Sequence, residues 1–286
     1  MRFELTDEQT GFAEAITDLM RAADAVAVAR AWASGEYAPG QDLWKRLADL
    51  GLTALVAPEE DGGLGGTLVD LVVAFEVLGH ELAVGPWIES AALAPQVDGA
   101  MVTAAAPPLS PYAADAQVAR LLSGTPGALH QSIDSTRTLT EVSDAEVLDE
   151  EALDRAVLAC AAQLLGAGER VLADSVTYVQ QRKQFGRAIG SYQAIKHQLA
   201  DVRIALDFVR PLVHGAALGE VPVSAAKVAA ADGAYRAART GLQVHGAIGY
   251  TAEFDLSLWL NRIRALVTAW GTPAYHRGRV LESLVG

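Results

Sequence analysis

Apolar residues recur at helical spacing from the start of the chain. Phe12, Ala15, Ile16, Leu19 and Met20 follow the capping box Thr6-Asp7-Glu8-Gln9, a hydroxyl answered three residues later by an amide, and predict a helix over about residues 7–24. A second helix is expected over Asp42 to Leu50, ended by Gly51, and a third, strongly apolar one over Leu68 to Leu82, carrying Glu76 and His80. The glycine-rich run Pro58 to Gly66 between them reads, on its own, as a flexible turn or a functional loop. From Val97 to about Val147 the pattern changes to proline, short apolar pairs and the alternation of residues 136–142, which predict several short strands. Helical periodicity returns near Asp149 and continues to Arg182, with Gly166, Ala167 and Gly168 small enough for close helix approach. A helix from Ser191 to about Leu218 follows, then a turn at 219–222, a helix that Ser224 can cap through about Val244, and a segment from Phe254 to Ala269 ahead of a terminal helix. The pattern describes a mainly α protein in three parts: an N-terminal helical domain (1–96), a reduced β domain (97–148) and a C-terminal four-helix bundle (149–286).

Composition narrows the possible partners. The 286 residues suffice for a buried core without staples, and the net charge of -13, from 35 acidic against 22 basic residues, disfavours nucleic acid and anionic membrane surfaces. No charge-free apolar run approaches the length of a membrane span. The single cysteine, Cys160, has no partner for an internal disulfide, and no charged leader with a short apolar core precedes the first helix, so a cytoplasmic location is expected. The six histidines show no metal-ligand spacing, and each is expected to be a surface or core residue; no metal is expected. Trp259 reads as core or interface, and Arg262 and Arg264 as ion-pair or interface residues.

The densest chemistry lies in Arg182-Lys183-Gln184-Phe185-Gly186 and in Tyr192-Gln193, with a second segment at Gln243-Val244-His245-Gly246-Ala247-Ile248-Gly249. A guanidinium fork binds phosphate oxygens in pairs, and an adjacent aromatic packs on a nucleotide. Taken alone, Arg182 also fits an exposed residue at a helix C-terminus with Phe185 in the core. The joint spacing resembles the C-terminal domain of acyl-CoA dehydrogenases, which reads Arg-x-x-Phe-Gly with a Gln eleven residues after the Arg, then Gln-x-x-Gly-Gly-x-Gly. Ala247 departs from the second Gly. The resemblance implies an acyl-CoA dehydrogenase-like fold and FAD as cofactor. It implies further that Arg182, Gln184, Phe185, Tyr192, Gln193, Gln243, Gly246 and Ala247 face the ADP half of a flavin bound mainly by a neighbouring subunit. The middle β domain is far shorter than a family barrel and lacks its flavin-binding Thr-Glu-Pro-Gly-Ala-Gly-Ser type segment.

Twenty-seven residues after Gln243, where many of these enzymes carry a catalytic Glu-Gly-Thr, the chain reads Trp270-Gly271-Thr272. Abstraction of a proton alpha to a thioester needs a carboxylate base, and an indole N–H accepts no proton. The alternative family position for that base falls on Ala156; Asp154 lies about 200° away round the helix. The resemblance therefore points to a subunit without a catalytic residue of its own. By the same resemblance its catalytic partner would bind most of the acyl-CoA, a bulky steroid-type ester among the substrates expected, in a two-plus-two heterotetramer that passes electrons to an electron-transfer flavoprotein. A self-sufficient enzyme using Asp154 and a flavin-free helical scaffold remain as rivals.

Overall fold

The computed structural model of the chain describes residues 4–285. The Thr6 hydroxyl accepts the Gln9 N–H at 3.1 Å while the Gln9 amide oxygen accepts the Thr6 N–H at the same distance, and helix α1 (Asp7–Ala22) starts there. Helix α2 (Ala25–Ala33) was not expected from the pattern. Its run AVAVARAWA is apolar on most faces, but Asp24, whose carboxylate accepts the Ala27 N–H at 3.2 Å, is a legible N-cap. Helix α3 (Ala38–Asp49) begins four residues before the expected Asp42, because Pro39 is tolerated in a first turn. Helix α4 (Leu68–His80) has its own capping box, Thr67 with Asp70, and stops short of Leu82, whose φ of 60° is incompatible with a continuing helix. A π-helical segment, Ile88–Leu93, follows.

The 58–66 run is more ordered than a flexible turn. Leu64, Gly65 and Gly66 donate backbone N–H bonds to Ala54, Ala57 and Leu55 at 3.0, 2.9 and 2.8 Å, and a methyl on Gly63 would collide with the Ala57 carbonyl. The glycines are there because backbone lies on backbone.

The reduced β domain contains a parallel pair, β1 (Val102–Thr103) with β3 (Arg120–Leu121), and an antiparallel sheet in the order β2 (Tyr112–Ala114), β5 (Thr138–Ser143), β4 (Thr125–Gln131). Strand β4 is exposed along its whole length.

Helix α5 (Glu150–Gln181), capped by Asp149, is the axis of the molecule and packs against α4 on one side and α6 (Gln193–Ala217), α7 (Val223–His245) and α8 (Leu256–Thr268) on others. Its length and apolarity suffice to cross a bilayer, but 83% of its most apolar window is buried within the protein. The expected close approach occurs against α4: a methyl on Gly166 would overlap the Glu76 carbonyl, and one on Gly79 the Gln163 carbonyl. Ser224 does not cap α7. Pro222 occupies the cap position, and the buried Ser224 hydroxyl pairs instead with His276 Nδ1 at 3.0 Å on the terminal helix α9 (Pro273–Val285). One continuous apolar core runs from Ile16 to Trp270.

Candidate functional site

At the end of α5, Arg182 turns into extended backbone and donates its N–H to the Tyr178 carbonyl at 2.8 Å. The chain then makes a two-residue hairpin, β6 (Lys183–Gln184) with β7 (Arg187–Ala188), closed by the Ile189 N–H on the Arg182 carbonyl at 2.8 Å. Both tip residues have positive φ, 52° at Phe185 and 81° at Gly186. For Gly186 this costs little; for Phe185 it is an uncommon conformation that throws the ring outward, 92% exposed. The reading of Phe185 as a core residue is thereby excluded. The Arg187 guanidinium lies 3.9 Å over the Tyr192 ring, and the Tyr192 hydroxyl donates to the Gln184 carbonyl at 3.5 Å, so the hairpin is braced from behind. Gln193 opens α6 with its side chain exposed.

Tyr178 joins the two sequence segments. Its ring stacks on His245 at 4.2 Å, and its hydroxyl reaches the His245 carbonyl at 3.5 Å, which sets the end of α7 beside the end of α5. Burial pushes the His245 pKa down, and Nδ1 faces the Gly241 carbonyl at 2.7 Å, so the proton of the neutral ring resides there. Gly246 adopts φ 62°, ψ -138°, a conformation close to one that only glycine occupies, with open space around it. Ala247 has no positive φ, so its backbone accepts a side chain without strain where the resemblance has glycine. Gln243, Gly246 and Ala247 are exposed, as are Arg182, Gln184 and Phe185, while Tyr192 is half-buried. Arg182 makes no ion pair among the described residues. The corner presents a free cation, an outward aromatic ring and two exposed amides. That donor set suits the phosphates and purine of a dinucleotide.

Trp270 is fully buried at φ 56°, its indole in the core and its Nε1 without a hydrogen-bond partner. His276 Nε2 donates to the Trp270 carbonyl at 2.8 Å and Nδ1 accepts from Ser224, which fixes a neutral tautomer; burial holds the His276 pKa down. An apolar plug thus stands where the resemblance puts a base. Ala156 is also fully buried. Asp154 is held by Arg279 on α9 at 2.8 Å, in an ion pair that also engages Glu150.

Polar residues, some expected from the sequence and some not, surround the junction of the β domain and α8. Arg262 is 3% exposed and binds Asp134, the Ala83 carbonyl at 2.8 Å and the Thr136 hydroxyl at 2.6 Å, whereas Arg264 makes no ion pair and lies 5.7 Å from the Tyr235 ring. Of the two expected alternatives, ion pair or interface, the first holds for Arg262, and Arg264, with no ion pair among the described residues, is left with the second. Trp259 is core, its indole N–H donating to the His80 carbonyl at 3.0 Å. Lys227 is fully buried without a carboxylate, donating to the Leu266 carbonyl at 2.6 Å and to Cys160 Sγ at 3.2 Å, and burial lowers its pKa. No periodicity distinguishes a lysine inside an alanine-rich helix from one on its surface.

Glu89, on the π-helical segment, is 1% exposed; its Oε1 has no hydrogen bond and lies 3.6 Å from Arg137. Burial, only partly offset by Arg137, pushes its carboxyl up to about 7. The folded state holds this proton more tightly than the unfolded chain, so Glu89 contributes full stability below about pH 4.5 and loses it as pH rises through about 7. At about 1.4 kcal/mol per unit the difference is about 3 kcal/mol. Urea titrations at pH 5 and pH 8 are expected to show Glu89→Gln gaining stability relative to the parent protein by that order at the higher pH.

Residues 6–125 match the acyl-CoA dehydrogenase N-terminal domain, and residues 147–285 the acyl-CoA dehydrogenase C-terminal domain. The chain is 30% identical to acyl-CoA dehydrogenase IpdE2 of Mycobacterium tuberculosis, over 90% of this chain and 91% of that protein. Its fold is similar to that of the Tcur3481–Tcur3483 steroid acyl-CoA dehydrogenase variant (TM-score 0.78, 22% identity, 98% of this chain and 99% of that one). It is similar also to the ChsE4–ChsE5 complex from Mycobacterium tuberculosis (TM-score 0.77, 20% identity, 99% of each chain).

Proposed function

This chain belongs to the acyl-CoA dehydrogenase family, and we propose that it is the base-lacking subunit of a heteromeric enzyme, lending its α5–α6 corner to the flavin of a catalytic partner. The observation that carries this reading is the outward Phe185, held at positive φ beside an unpaired Arg182, while the position of the base is occupied by buried Trp270. FAD, the family's cofactor, supplies the hydride acceptor for alpha,beta-dehydrogenation of an acyl-CoA. On this chain Arg182 would neutralise pyrophosphate, Phe185 would cover the purine, and Gln184, Gln193 and Gln243 would donate amide hydrogen bonds. Gly246 and Ala247 would let backbone approach the dinucleotide, and Tyr192 would brace the hairpin through Arg187. The names of the similar solved structures, a two-chain steroid acyl-CoA dehydrogenase and a two-chain complex, support a partner chain and a steroid-type CoA ester as substrate; two copies of each chain and an electron-transfer flavoprotein as acceptor are inferred from the family resemblance alone.

The test is co-expression with the catalytic chain. Arg182→Ala combined with Gln243→Ala is expected to leave the complex assembled and strip most of its flavin absorbance. Flavin content equal to that of the parent complex would refute the reading. The rival in which Asp154 acts as base has against it the Arg279 pair that holds that carboxylate. It requires the chain purified alone to reduce a dye with an acyl-CoA, and to lose that activity in Asp154→Ala.

A further inference from the structure

A cavity of about 540 Å³ opens between the small sheet, the proline segment 107–111 and α8, within the size range of small-molecule sites. It shares no residue with the α5–α6 corner. Two arginines line it in a chain of net charge -13, where most arginines have found a carboxylate. Arg264 has no ion pair or side-chain hydrogen bond among the described residues. Arg137, its side chain 11% exposed, donates no side-chain hydrogen bond, and its one ion pair is the long one to Glu89. A guanidinium whose donors are unspent and still reach the cavity is available to an anion. The rest of the lining mixes prolines, leucines, alanines and Ile133 with uncharged polar side chains: Gln131, Tyr112, two serines and two threonines.

We propose that this cavity binds an apolar ligand carrying one carboxylate, with Arg137 and Arg264 taking the acid group and Pro108, Leu109, Ile133 and Leu139 the body. A single charge fits better than a phosphate dianion. Behind Arg137 stand the buried carboxyls of Glu89 and Asp115, the latter with Oδ2 unpartnered, and each added negative charge works against them. Arg262 does not relieve this, being already engaged by Asp134. Glu89 therefore competes with the ligand for Arg137, and ligand binding drives Glu89 toward its protonated form. The groups facing Glu89 are Arg137, Asp115, Arg262 and the Gln163 amide; Arg137 alone lines both the cavity and the small space against Glu89.

The experiment is calorimetric titration of the full chain with decanoate, with decanol, inorganic phosphate and riboflavin monophosphate as comparisons. Decanoate is expected to bind and decanol to bind at least about tenfold more weakly, the loss of a charge-assisted contact. Arg264→Gln, at an exposed position that leaves folding intact, and Arg137→Gln are each expected to weaken decanoate by a similar factor. Glu89→Gln is expected to tighten it and to abolish proton uptake measured across buffers of different ionisation enthalpy. Equal binding of decanoate and decanol, or unchanged affinity in both arginine variants, overturns the proposal. Phosphate competing as well as decanoate would make this a bare anion site, and displacement by the flavin nucleotide would make it a flavin seat; either result also overturns it. These readouts need no partner chain, so they stand or fall separately from the flavin content of the complex.

Discussion

Replacing Asp134 by Ala is expected to destabilise the protein by about 3–5 kcal/mol, because it strands the Arg262 guanidinium in the core. Arg262 and Asp134 are 3% and 1% exposed. Burial by itself would raise the Asp134 carboxyl; the Arg262 charge and hydrogen bonds from the Thr136 N–H at 3.0 Å and its hydroxyl at 2.6 Å outweigh it and hold the pKa below its ordinary value. The contribution is present above the unfolded carboxyl's pKa and is lost as pH falls through the depressed folded value. The same guanidinium holds the Ala83 carbonyl, so it ties α8, the end of the N-terminal helices and the turn before β5 together. Urea denaturation distinguishes this from a simple packing loss: the double variant Asp134→Leu with Arg262→Met should be more stable than Asp134→Ala alone, since it leaves no uncompensated charge. A double variant less stable than the single would mean that the pair is net stabilising against an apolar replacement.

Gly166→Ala is expected to cost about 3 kcal/mol, at the upper end of overpacking penalties. Its methyl would lie on the Glu76 carbonyl, and a backbone atom has no alternative rotamer to adopt; relief requires α4 and α5 to separate along the crossing where Gly79 meets Gln163. Gly11→Ala provides the opposite sign. That glycine sits in exposed α1 with nothing within 4 Å of an added Cβ, so the exchange should stabilise by about 0.5–1 kcal/mol through helix propensity alone. Equal effects at the two sites would show that the helix crossing is not glycine-limited.

The helices with caps or strong periodicity were legible because those signals are local. Thr6 with Gln9, Asp149 with Ala152 and the apolar stripe of α5 specify their own elements. Helix α2 escaped because its residues are apolar all round, and the fate of Ser224 because its partner His276 lies 52 residues away. The corner residues were legible as a spaced motif. Their outward direction was not, since it depends on the positive φ of Phe185 and on the stacking of Tyr178 on His245. Arg137 and Glu89 had no signal at all, and Arg264 was legible only as an ion-pair or interface residue: a charged residue in a strand or helix reads the same whether it is paired, unpaired or buried.

By itself the sequence determined the mainly helical architecture, the family and the presence of Trp, which cannot accept a proton, at position 270, because periodicity, motif spacing and residue chemistry are properties of the chain read in order. Only the tertiary structure decided that Trp270 is a buried plug, that Asp154 is bound to Arg279, and that Arg262 is paired while Arg137 and Arg264 line a cavity. Desolvation and ion pairing depend on which segments meet in space, and those segments lie tens to more than a hundred residues apart along the chain.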